Sequence, residues 1–235
     1  MRIRSFIIAY ALVLAILLFA DRRPSSTQPN RYSHVVDLTD GQTATPAQAQ
    51  ASESRTRIIA PAALIPGTWT AGQIPPERLV APLVVMDLNP APERSPQITL
   101  DDIAAWESQH GVIPQGAVVA IRRTGVHDDL ATNDLATDDR TTSDRLTMSF
   151  PIAPDAAEFL MDARYTIGFA FAAETPVNLT SDRALARQLA LHGSYVVEGA
   201  ARFTALPATG SLVIVAPAKN KKPGTAPVRI LAMVR

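Results

Sequence analysis

Apolar positions recur along the chain in two rhythms. Residues 79–88 are almost continuously apolar, as in a strand covered on both faces. Residues 32–38, 117–122, 166–172, 195–198, 211–216 and 227–234 are shorter runs, rich in Val, Ile, Phe and Tyr, and each is read as a strand. Helical spacing appears between them. In residues 99–110, Leu100, Ile103, Ala104 and Trp106 share a face; Thr99 and Asp102 resemble a capping box and Gly111 is a natural stop. In residues 150–163, Pro154 suits a first helical turn, with Asp155 and Glu158 near its positive end. Residues 182–192 predict a third helix, ended by Gly193 and closed at its negative end by His192. Strand and helix signals alternate, which predicts an α/β fold.

The stretch 56–79 differs. Pro61, Pro66, Gly67, Gly72, Pro75 and Pro76 punctuate it, so it reads as a turn-rich loop in which no helix runs far. A long ordered loop inside a compact domain is usually functional. Residues 41–54 are Ala, Gln, Thr and Ser without periodicity, and residues 89–97 form a Pro-rich loop. Residues 127–147 carry the unit Asp-Leu-Ala-Thr twice and six aspartates, and are read as a low-complexity, solvated insert. His127 beside Asp128 and Asp129 is read as part of that surface loop rather than as a metal site.

The first residues stand apart. Arg2 and Arg4 precede an unbroken apolar run over residues 6–20, and Asp21, Arg22 and Arg23 end it. Fifteen helical residues span about 22 Å, short of a hydrocarbon core about 30 Å thick. Residues 1–23 are therefore read as a secretory signal peptide or, uncleaved, as an N-terminal membrane anchor, with a buried core helix as the bland alternative. Either of the first two readings exports the domain, to the periplasm or to the outer face of the inner membrane. Residues 24–31 are a polar linker, and residues 32–235 form one domain.

Composition removes several classes of function. Net charge is zero, with 22 basic and 22 acidic residues, so there is no electrostatic footprint for nucleic acid. There is no cysteine, hence no disulfide, thiolate ligand or thiol nucleophile. No G-x-S-x-G elbow, G-x-G-x-x-G loop or Walker loop occurs.

Residues 56–88 carry a resemblance. Thr56, Ala60, Pro61, Ile65, Pro66, Gly67, Trp69, Thr70, Gln73, Ile74, Pro75, Pro76, Glu77, Leu79 and the run from Pro82 to Asp87 follow the frame H-x-G-T-H-x-D-x-P-x-H and the segment after it. The chain thereby resembles the cyclase family, whose best-known members are the kynurenine formamidases, or arylformamidases. The likeness extends through His34-Val-Val-Asp-Leu38, the helix near residue 100 and the closing Pro227-Val-Arg-Ile-Leu-Ala232, covering about residues 32–234. It implies a mixed β-sheet, barrel-like core with flanking helices, of the swivelling β/β/α type. It also implies a zinc or manganese ion held by His, His, Asp, His and Glu, and a further His that moves a proton.

The polar positions of that frame depart from it. Glu53 stands at the first His, Arg55 at the Gly, Arg57 at the second His, Ile59 at the Asp and Ala63 at the proton-moving His. Asp40 and Val126 replace a further His and a pocket Trp. The later ligand His falls on Ala186, and the ligand Glu is Glu198. Glu53 and Glu198 are thus the surviving candidate ligands, and Arg57, Trp69 and Glu198 are the expected pocket residues. Two carboxylates without imidazole suit zinc poorly, so no intact catalytic set and no cofactor is expected. Arg57 is expected either to stand in for the lost cation and pair with Glu198, or to extend into solvent. The leading expectation is an exported pseudo-hydrolase binding an unknown small molecule or partner. The alternatives are an active arylformamidase-type amide or ester hydrolase with a rearranged site, drawing ligands from Glu53, His34 or His192, and a different enzyme reusing the pocket. The resemblance further implies a homodimer, and any membrane contact is expected only through the N-terminal segment.

Overall fold

In the computed structural model the described residues are 32–40, 56–88, 97–123, 150–172, 177–179, 182–219 and 221–235. The chain divides into two units, Met1–Arg31 and Tyr32–Arg235. The first unit, Glu53, Arg55, His127 and the insert at 127–147 lie outside the described residues.

The strands are β1 (His34–Asp37), β2 (Arg57–Ile59), β3 (Val80–Leu88), β4 (Val118–Arg123), β5 (Gly168–Ala172), β6 (Tyr195–Ala200), β7 (Ser211–Pro217) and β8 (Thr225–Val234). The helices are α1 (Pro61–Leu64), α2 (Leu100–His110), α3 (Pro154–Ala163) and α4 (Arg183–Leu191). β3, β4, β5 and β6 run parallel, with one of α2, α3 and α4 falling between each consecutive pair. Parallel neighbours need such crossovers, because a tight turn cannot return the chain to the same direction. β7 pairs antiparallel with β3 and with β8, and β2 pairs antiparallel with both β8 and β6. The sheet therefore closes on itself through β2, β6, β5, β4, β3, β7 and β8. β1 adds to the C-terminal half of β8. Closure leaves few free strand edges.

Side-chain alternation builds two cores. Leu83, Val85, Val118, Ala120, Ala170, Tyr195 and Val197 point into the barrel, with Ile58, Val213 and Ile230. The residues between them, Val84, Met86, Val119, Ile121, Phe169, Phe171 and Val196, point outward and meet Ile103, Leu160, Leu185 and Leu189 from the helices. The parallel strands are thus covered on both faces, as their uninterrupted apolar runs require.

The helix ends follow their sequence cues. Thr99 and Asp102 form the capping box of α2, and Gly111 closes it at φ 86°. Pro154 opens α3, while Asp182 and His192 cap α4. The segment 56–79 is more structured than its prolines and glycines suggest. Its first residues form β2, and the rest makes α1 and two 3-10 turns, Ala71–Gln73 and Pro76–Arg78. Ala71 and Ile74 sit in the barrel core, so this stretch is anchored to the domain through them.

Candidate functional site

The carboxyl ends of β3, β4, β5 and β6 come together on one side of the barrel, the position where open and closed α/β sheets hold their ligands. β6 does not end regularly there. Ala170 of β5 faces Val197, but Ala172 faces Ala200, so β6 holds one extra residue at Glu198 and Gly199. Gly199 takes φ 71°, which a side chain would resist. Bulges of this kind re-aim a side chain at the rim of a barrel.

Thr56 holds the bulge. Its side chain is fully buried; Oγ1 donates to the Gly199 carbonyl at 2.7 Å and accepts from the Asp40 backbone N–H at 2.7 Å. One hydroxyl therefore joins the start of β2, the bulge of β6 and the chain leaving β1. This explains a Thr at the start of a strand that otherwise continues Arg-Ile-Ile.

Arg57 is the next residue, and the strand register sets it directly opposite Glu198. Directly opposed residues of an antiparallel pair project from the same face. Ile58 and Val197 point into the barrel, so Arg57 and Glu198 project from the outer face, with Ile59 and Val196. Glu198 is half-buried, and burial pushes its carboxyl above the ordinary value while the Arg57 charge opposes that shift. The two side chains are coupled electrostatically across the strand pair. The Arg57 guanidinium turns toward β8, where Nη2 donates to Thr225 Oγ1 at 2.6 Å. Arg57 is therefore held at the seam of β2, β6 and β8, directly across from the Glu198 it was expected to meet.

The other frame positions surround this seam. Ile59 packs against the helix-side core, Ala63 lies exposed on α1, and Ala186 is half-buried on α4, the helix against which α1 packs. On the neighbouring strands Arg122 grips Asp87 with two bonds, Nε to Oδ1 at 2.5 Å and Nη2 to Oδ2 at 2.9 Å, and donates Nη1 to the Phe203 carbonyl at 3.1 Å. Among the described residues no group of three or more His, Cys, Asp or Glu is arranged to hold a metal ion.

Trp69 is placed elsewhere. Its ring lies against Gly193, where a Cβ would stand 2.7 Å from the indole, and the Arg78 guanidinium lies 5.6 Å from its centroid. Gly193 precedes Glu198 by five residues, about 16 Å along an extended strand, so Trp69 belongs to the opposite end of β6. Arg78 explains the arrangement, because its Nη2 donates to the carbonyls of His192 and Gly193, both at 3.2 Å, where α4 ends. His192 caps that helix and contacts Asp162 at 3.2 Å, while His34 lies exposed at the start of β1 beside Ser33. The structure therefore brings together Arg57 and Glu198, and separates from them Trp69 and His192. The roles of Thr225 and the Thr56 clamp were not predicted. No local pattern marks Thr225, whose only signal is the pairing register of β8.

A model of the Cyclase family matches residues 28–176, more than half of the chain. The protein belongs to the cyclase family. Solved structures of the same fold include isatin hydrolase A from Labrenzia aggregata, with 24% identity, TM-score 0.62, and coverage of 86% of this chain and 93% of that one. Isatin hydrolase A from Ralstonia solanacearum has 21% identity and TM-score 0.65, covering 96% of this chain and 97% of that one. A structure described as a potential metal-dependent hydrolase with cyclase activity has 24% identity and TM-score 0.59, covering 86% and 98% of the two chains. Among curated proteins, none matches the chain. The chain is thus a domain of cyclase-family fold.

Proposed function

We propose that this cyclase-family domain works without the metal chemistry of its relatives, as a pseudo-hydrolase that binds a small molecule or partner. The observation that carries the reading is Arg57 opposite Glu198, at a position where the family frame places a ligand His. A guanidinium keeps its proton at all ordinary pH values and repels a divalent cation. Ile59 is turned into the helix-side core, and Ala63 and Ala186 offer no donor atom. The described residues of the frame therefore do not fit a zinc or manganese ion.

The test uses the purified full chain. Elemental analysis is expected to find far less than one zinc or manganese per chain. Neither N-formylkynurenine nor isatin, the cyclic amide named in the structural neighbours, is expected to be hydrolysed above background. Chelator should leave thermal stability unchanged, since a metal bound only to the native state would raise it by mass action. Stoichiometric metal with chelator-sensitive hydrolysis would establish instead the second reading, an active amide hydrolase with a rearranged site.

A further inference from the structure

Arg57 does more than spoil a ligand position. Four features fix it: the β2–β6 register sets it opposite Glu198, Thr225 on β8 accepts its Nη2 at 2.6 Å, the Thr56 hydroxyl pins the neighbouring bulge at Gly199, and the strand alternation puts both charges on one face. We infer that Arg57 is a built-in cation: a guanidinium held at the seam of β2, β6 and β8 that supplies the positive charge Glu198 requires and excludes a divalent ion from the same place. The inference rests on the metal-free reading of the site.

The chemistry follows from what each group can do. A half-buried carboxylate loses hydration and needs a nearby positive charge or donors to stay ionised. In the strand pair that charge comes from the directly opposed residue, whose side chain projects from the same face. A lysine would bring a mobile point charge, whereas arginine donates in a planar fork and keeps one arm on Thr225. The charge is therefore fixed in direction, and the strand seam it spans is the one that closes the barrel.

A double-mutant cycle on urea unfolding of the full chain tests this. Arg57→Ala is expected to raise the unfolding equilibrium constant on the order of tenfold in the wild-type background, and clearly less in a Glu198→Gln background. Equal effects in the two backgrounds would overturn the inference. Should Arg57→Ala fail to fold, Thr225→Val supplies a milder cycle, because it removes the Nη2 hydrogen bond without removing the guanidinium. Its effect is expected to shrink when Glu198 is Gln, and an undiminished effect again overturns the inference. Metal analysis of the wild-type chain separates the two failures. Stoichiometric metal sinks the metal-free reading and this inference with it, whereas additive effects in a metal-free chain sink the inference alone.

Discussion

Gly168 is small because Tyr195 fills the space beside it. A Cβ at position 168 would stand 2.5 to 2.8 Å from three atoms of the Tyr195 ring. The ring has nowhere to go, since it is fully buried in the barrel and its hydroxyl donates to the Arg78 carbonyl at 3.0 Å. Gly168→Ala is therefore expected to lower stability by about 1–3 kcal/mol, read as a fall in the thermal unfolding midpoint; an unchanged midpoint would show that the ring can shift. Nothing in the local sequence marks this glycine, which lies in an ordinary apolar run. Glu198 and Arg57 were legible as residue identities at frame positions. Their meeting was one of two expectations, but the register that sets it was not legible, because it comes from the pairing of two strands far apart in the chain.

At the scale of elements, the capped helices were the most readable parts. Thr99, Pro154, Asp182 and Gly111 act within one turn of themselves, so their effect survives whatever the rest of the chain does. β2 was not readable as a strand. It has three residues, begins with a charged one and is followed two residues later by Pro61; pairing with β6 and β8 holds it extended.

The helix layer has its own tie. Glu107 of α2 accepts Nε and Nη2 of Arg164 at 2.6 and 2.8 Å, and also the Ile113 backbone N–H at 3.0 Å. The Arg164 hydrogen bonds, helped by that N–H, hold the Glu107 carboxyl below the ordinary carboxylate range against the effect of burial. Protonation is therefore harder in the folded chain than in the unfolded one. The stabilisation is fully present above the unfolded carboxylate pKa, about 4.3, and is lost as pH falls through the lower folded value. Glu107→Gln is expected to cost about 1–2 kcal/mol at neutral pH and to flatten the acid limb of the stability profile. An acid limb as steep as that of the wild type would remove Glu107 from the explanation.

For the whole molecule, the α/β class was already clear from alternating strand and helix signals. The charged-apolar-charged pattern over residues 1–23 predicts export of the domain. A reporter enzyme that works only in the periplasm, fused after Arg235, is expected to be active, and activity of a cytoplasmic reporter alone would overturn the prediction. By itself the chain determined where helices start and stop, which strands are apolar on both faces, and which family frame its residues follow. All of these depend on neighbours within a few residues or on residue type. The tertiary structure alone decided that β8 joins β7 to β2, that β6 carries a bulge under Thr56, and that Arg57 meets Glu198 and Thr225 while Trp69 lies at the other end of β6. Those outcomes depend on register between distant strands. A shift of one residue would turn every side chain to the opposite face, and the register is chosen by burying both cores at once.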